Sequence, residues 1–258
     1  MFYGEGWDMC YELKKDEKGS ANNYKNLPNI AFFNDTFRNV AIGSIFKDRI
    51  KDKGFVSGRI DNLKDIDYVF LGTCVSNTYD AKFDNANRSI NYVECHDNFT
   101  LFDKLQIVHE NEDIEDLLKR VKLANKFTMI SFGIPFFHMG QEIGQSKNMQ
   151  DNTYNIPKIN NLDYRLVDER FEMVSHLKNA IALRKRINWY KLYKPKDIDA
   201  AVDVDFWNNK IFCLKTKDKK YCEPFEELML LANNECENKN FDFESYYAII
   251  QGVELPHQ

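Results

Sequence analysis

Ile90-Asn-Tyr-Val-Glu-Cys-His-Asp-Asn98 is the stretch from which the fold is read. The apolar run Ile90–Val93 has the length and residue types of a buried strand, and it leads straight into His96-Asp97. Two other stretches repeat the design. In Met1-Phe-Tyr-Gly-Glu-Gly-Trp-Asp8 the apolar residues end at Gly4 and Glu5 follows; in Gly133-Ile-Pro-Phe-Phe-His-Met-Gly-Gln-Glu142 the strand is Ile134–His138, with Pro near its start, where no ladder donor is lost. Ile30-Ala-Phe-Phe33 is a further short strand, closed by Asn34-Asp35 as a turn or cap. Functional groups at the C-terminal ends of successive strands are the habit of parallel α/β barrels. One carboxylate after a strand is commonplace; Glu5, Asp97 and Glu142 in series carry more weight.

The intervening segments agree. Residues 11–29 are polar and Lys/Asn-rich, a surface excursion, and residues 36–67 read as loop with short helices. Asp113 caps a helix in which Ile114, Leu117, Leu118, Val121, Ala124 and Phe127 recur at helical spacing, stopping near Gly133. A polar loop, 144–161, precedes a second helix over Val167–Ile187. Phe171, Val174, Leu177 and Ile181 fall on one of its faces, and Arg184-Lys185-Arg186 sit at the end its dipole favours. Beyond Lys194-Pro195 the period changes. Val202, Val204 and Phe206 alternate, Asn208-Asn209 makes a turn and Ile211 resumes, a hairpin signal; Leu228–Leu231 and Tyr246–Ile250 are two more strands. The chain therefore divides into an α/β part over 1–193 and a β-rich part over 194–258, whose last residues, Glu254-Leu-Pro-His-Gln258, do not read as a finished strand.

Composition narrows the function. With 35 basic and 40 acidic residues mixed along the chain, and a net charge of −5, there is no basic stripe for nucleic acid. No apolar run approaches the ~20 residues that span a bilayer, so no membrane partner is expected. The six cysteines form no CxxC pair and no metal-ligand spacing; they read as reduced residues of a cytoplasmic protein, and neither metal nor cofactor is expected. The 20 Phe, 13 Tyr and 3 Trp serve mainly the core, though such rings are also the stacking platforms of sugar clefts.

Together these motifs resemble active-site strands of the alpha-amylase superfamily, glycoside hydrolase family 13, and within it the C-terminal part of the type I pullulanases. The resemblance covers residues 1 to about Arg186 well and the tail loosely. It implies the C-terminal half of a (β/α)8 TIM-type barrel, strands five to eight, followed by a small all-β, sandwich-like domain. It implies a retaining hydrolase of α-1,6 branch linkages in pullulan, starch or glycogen-type α-glucans. Glu5 matches the general acid/base after the fifth strand. Asp97 matches the carboxylate that stabilises the oxocarbenium-like transition state after the seventh, and His96 the imidazole that hydrogen-bonds sugar hydroxyls, with Asn98 beside them as a further substrate contact. Ala31-Phe-Phe-Asn-Asp-Thr-Phe-Arg38 resembles the sixth-strand segment, and Gly133, Pro135, Gly140 and Glu142 match the largely structural eighth-strand motif. The loop Lys147–Asn155 resembles the segment that holds the glucan chain, through Tyr154 and Asn155. It departs from the family at Gln145, where Arg is usual, and at Met149-Gln150, where Gly-Asp is; a solvated loop is the alternative. Trp7 is either a stacking ring near Glu5 or packing against the barrel rim.

Retaining hydrolysis needs two carboxyl groups roughly 5–5.5 Å apart, one nucleophilic and one held protonated by its surroundings. In the family the nucleophilic Asp follows the fourth strand in a Gly-x-Arg-x-Asp setting. Neither Asp35 nor Asp61 has that setting, and the first-strand Asn-His pair is missing too. A barrel takes about 250 residues, and fewer than 200 precede the tail here. The expectation is half an enzyme, inactive alone, to be completed by an N-terminal half supplying strands one to four. The alternatives are a non-catalytic α-glucan-binding remnant and an unrelated α/β protein.

Overall fold

The computed structural model describes residues 2–9, 11–59, 64–76, 79–207, 211–223, 225 and 227–233. Met1, Asn208-Asn209, Asp61, Cys10, Cys236 and the expected strand Tyr246–Ile250 lie outside them.

Four parallel strands form one sheet in chain order: β1 (Phe2–Gly4), β2 (Ile30–Phe33), β3 (Ser89–Asn91) and β4 (Ile134–Pro135). The pairs are Phe2↔Ile30, Phe32↔Ser89 and Ile90↔Ile134 at their starts. The four strands expected in this part are present, but the third ends at Asn91 rather than Val93 and the fourth is shorter than Ile134–His138. Pro135 has no N–H to give, and only Phe136 N, donating to Asn91 O at 2.8 Å, prolongs the pairing. Phe33 and Phe136 meet with ring centroids 4.9 Å apart although β3 lies between their strands. Strands two places apart are separated by about 9–10 Å, so the rings lean together over a concave face. Tyr3 joins that face, 6.1 Å from Phe33. β1 is an edge, with Phe2 77% and Tyr3 54% exposed.

Helices connect and cover the sheet: α1 (Asp35–Ile42), α2 (Lys64–Phe70), α3 (Leu101–Val108) and α4 (Ile114–Ile130). Asn34 caps α1 by accepting from Phe37 N, and Asp113 caps α4 by accepting from Asp116 N at 2.9 Å. Leu117, Val121, Ala124 and Phe127 are buried, whereas Ile114 is exposed at the first turn. Short helices α5 (Pro157–Asn160) and α6 (Arg165–Glu169) lead to α7 (Phe171–Arg186). The helix expected over Val167–Ile187 is thus two, and its inner face differs from the expected one. Phe171 is exposed; Met173 and Ala180 are buried and Leu183 packs on the core. The cause is Arg170, whose backbone (φ −118°, ψ 33°) breaks the helix while its guanidinium turns in to Ile143 O and Gly144 O. At the far end Arg184 also serves another helix. It donates to Met129 O, Ser131 O and Gly133 O at 2.6–2.7 Å, satisfying carbonyls where α4 ends, and lies 4.2 Å from the Tyr190 ring centroid.

After α8 (Pro195–Ala201) comes an antiparallel sheet of β5 (Val202–Trp207), β6 (Ile211–Thr216) and β7 (Met229–Asn233), in that order. Its hairpin register, Val202↔Thr216 to Trp207↔Ile211, is the alternation expected. Phe212 on β6 packs 4.6 Å from Phe70 on α2, within one hydrophobic core that joins the helices to the antiparallel sheet. Among the described residues no helix is long and apolar enough to cross a membrane.

Candidate active site

Three of the expected residues converge. Glu5 follows β1, and His96 and Asp97 lie beyond β3; one ligand atom from each falls within 4.8 Å of the other two. Gly6 directs the chain after Glu5. Its φ is +70°, its carbonyl accepts from Ala21 N at 2.9 Å, and a Cβ there would stand 2.5 Å from Phe32 Cδ1. His96 Nε2 sits 3.4 Å from Asp97 Oδ1. Asn98 takes a left-handed turn (φ 58°), which Asn tolerates, and its N–H donates to Asn152 Oδ1 at 2.9 Å. Asn152 belongs to the loop that follows the 3-10 turn Gln141–Ile143, so the two loops meet at this point.

That loop also brings Tyr154, 58% exposed, to a ring-centroid distance of 5.8 Å from His96. Asn155 is exposed and Trp7 half-buried. Among the described residues no hydrogen bond or ring contact joins either of these to the trio. Glu142 stays in its own turn, accepting from Gly140 N at 2.9 Å.

Glu5 departs from expectation in one respect. A proton donor of this kind is held protonated by burial, yet Glu5 is exposed. The described residues supply the carboxylate without the wall that would enclose it. Among them, Glu5, His96 and Asp97 are also the one group of His, Cys, Asp and Glu side chains spaced to share a cation; two of the three are exposed.

Beneath the trio lies a charged assembly that sequence reasoning passes over. Glu94 is 4% exposed; its Oε1 is 2.7 Å from His138 Nδ1, and its Oε2 accepts from Leu101 N at 2.7 Å. Burial pushes its carboxyl above the usual range, against the opposing pull of His138, the Leu101 N–H and Lys147. Lys147 is 2% exposed and its ammonium donates to His96 O at 3.1 Å. Burial lowers its pKa, while Glu94, Cys95, Asp103 and Asp151 pull it back up. Asp103, fully buried on α3, accepts from Ser146 Oγ and from Lys147 N. No periodicity marks Glu94: it lies beyond β3, and Tyr92, Val93 and Glu94 are buried in succession without alternation.

No family model matches the chain. Known proteins do. The pullulanase of Bacillus subtilis (strain 168) is 27% identical over 232 residues, 90% of this chain and 32% of that protein. The crystal structure of type I pullulanase from Bacillus subtilis str. 168, complexed with maltose, superposes with a TM-score of 0.86 at 27% identity, covering 91% of this chain and 33% of that one. The pullulanase from Anoxybacillus sp. LM18-11, complexed with maltotriose, gives 0.84 at 29% identity, over 90% and 32%. The chain spans about a third or less of the length of the curated relatives it matches. Nine tenths of this chain therefore corresponds to about a third of a type I pullulanase of glycoside hydrolase family 13.

Proposed function

We propose that the chain supplies the acid/base side of an α-glucan debranching site. The observation that carries this reading is the convergence of Glu5, His96 and Asp97 within 4.8 Å at the C-terminal ends of β1 and β3. Glu5 would protonate the oxygen that leaves from an α-1,6 branch linkage. Asp97 would stabilise the positive charge that develops on the sugar ring, where a fixed carboxylate acts most strongly. His96 and Asn98 would hydrogen-bond hydroxyls of the same sugar, with Tyr154 as an aromatic wall beside them and Trp7 and Asn155 on the borders. The relatives solved with maltose and maltotriose support an α-glucan as ligand.

In this reading β1 to β4 are strands five to eight of a (β/α)8 barrel, residues 1–193 are that half-barrel, and residues 194–258 form the β-rich domain. The concave face carrying Tyr3, Phe33 and Phe136 is then the wall of the barrel interior, and the exposed edge at Phe2-Tyr3 is where the fourth strand pairs. Neither a Gly-x-Arg-x-Asp sequence nor an enclosed Glu5 is present, so the nucleophile and the burial of the acid would come from the complementary half. Without a nucleophile no covalent intermediate forms. The described cysteines Cys74, Cys95 and Cys213, which form no disulfide, suit a cytoplasmic setting. The second reading, a glucan-binding chain without turnover, is favoured by the same exposure of Glu5.

The test is pullulan hydrolysis by the chain alone and after addition of a polypeptide carrying the first four barrel strands. Activity that appears on mixing and is lost with Glu5→Gln supports the half-enzyme. Maltotriose binding with no activity in either sample supports the binding protein.

A further inference from the structure

Two loops carry the groups proposed to touch glucan: the turn after β3, with His96, Asp97 and Asn98, and the loop 144–156, with Tyr154. Both rest on one buried set of charges. Lys147 reaches out of the second loop to the main-chain carbonyl of His96 in the first, at 3.1 Å. Its own N–H is fixed by Asp103 at 2.8 Å, and Ser146 donates to the same carboxylate. Glu94, three residues before Asp97, is pinned between the first turn of α3 through Leu101 N–H and the segment after β4 through His138, both at 2.7 Å. The charged groups around Lys147 are therefore Glu94 from the β3 side, Asp103 from α3 and Asp151 from its own loop.

Removing a lysine and two carboxylates from water is costly, and their mutual attraction has to offset that cost. Packing two loops together requires no such charges, since apolar side chains would do it at least as well. What the charges add is direction: an ammonium on a flexible stem can hold one particular carbonyl oxygen in place, and the carbonyl it holds belongs to His96 itself.

We propose that Lys147 and Glu94 are positioning residues, a buried clamp that sets the His96–Asp97 turn against the Tyr154 loop so that the two walls of the glucan site keep one fixed spacing. This rests on the reading of His96, Asp97 and Tyr154 as the glucan contacts, though the geometry it predicts is measurable without any sugar. The experiment is heteronuclear NMR on the full 258-residue chain with labelled His and Tyr. The free chain should show a cross-peak between the His96 and Tyr154 rings. Lys147→Met, which keeps the stem and removes the charge, should abolish it while resonances of the antiparallel sheet stay in place, and Lys147→Arg should restore it. A cross-peak that survives Lys147→Met overturns the proposal, as does Lys147→Arg failing to restore one that was lost. Should Lys147→Met not fold, Glu94→Gln, which still accepts from Leu101 N–H, is read instead: loss of the cross-peak supports the clamp and its persistence overturns it. Maltotriose titrated into the same samples is a separate arm. Wild-type chain that shows the cross-peak but binds no maltotriose keeps the clamp and removes the glucan reading; with binding present, Lys147→Met should weaken it about tenfold.

Discussion

The parallel sheet pairs its strands over two or three positions at each step, while the antiparallel sheet pairs over six and then five. The antiparallel sheet is held by its own ladder and by an apolar face, with Phe212, Leu214 and Leu230 buried against the common core. The parallel sheet is held by side chains. Asn34 Nδ2 donates to Ser89 Oγ at 2.7 Å, Ser89 Oγ to Asn91 Oδ1 at 2.6 Å, and Asn91 Nδ2 to Ser131 Oγ and Phe132 O at 2.9 and 2.6 Å, all buried. Short strands leave backbone groups that something must satisfy, and a fully satisfied buried polar network fixes one geometry closely. The sheet that bears the candidate site is the one fixed in this way; the other supplies burial.

The comparison is open to experiment, starting from the largest effect. In the chain completed by a complementary half, Glu5→Gln should lower pullulan hydrolysis by about 10²–10⁴-fold, the range for removal of a general acid, with maltotriose affinity nearly unchanged. Phe212→Ala should cost about 3–5 kcal/mol in denaturant unfolding, as loss of a buried ring does, and leave maltotriose affinity of the folded fraction alone. Asn91→Ala should cost about 3 kcal/mol, because Ser89, Ser131 and the Phe132 carbonyl lose buried partners. Unlike Phe212→Ala it should also weaken maltotriose binding, since Asn91 anchors the strand that leads to His96. Equal effects of the two on affinity would erase the distinction between the sheets. Gly133→Ala should cost about 1–3 kcal/mol, the scale of one strained backbone position: φ there is +103°, and a Cβ would stand 2.9 Å from Asn91 Nδ2.

The smallest effect is a pH dependence. The folded pKa of Glu94 lies above its ordinary 4.5 because it is buried. A carboxyl raised on folding binds more protons in the native state, so its contribution is fully present below the unfolded pKa and is lost as pH rises through the folded one. The Tm of wild type minus that of Glu94→Gln should therefore shrink as pH climbs from 4.5. A difference that grows over that range would mean His138 and Lys147 outweigh burial.

The strands were legible because each is a short apolar run bounded by glycine or polar residues, and the α4 cap because Asp113 precedes a regular apolar face. The trio at the site was legible because each member stands shortly after an apolar run, in a motif that resembles a known family. Helix α3 was not read, although Thr100 caps it by accepting from Asp103 N, because its apolar residues run on from the His96-Asp97 motif without a break. The rotation of α7 was hidden in Arg170, whose inward turn no periodicity reveals. Glu94 and Lys147 were passed over because charged residues are ordinarily exposed, and only folding shows that these two are enclosed.

The most direct test is pullulan hydrolysis by the purified 258-residue chain, alone and mixed with a polypeptide carrying the first four barrel strands. The predicted result is no turnover alone, turnover on mixing, and its loss with Glu5→Gln. Turnover by the chain alone that Glu5→Gln abolishes would contradict it, because a nucleophile would then lie within these 258 residues.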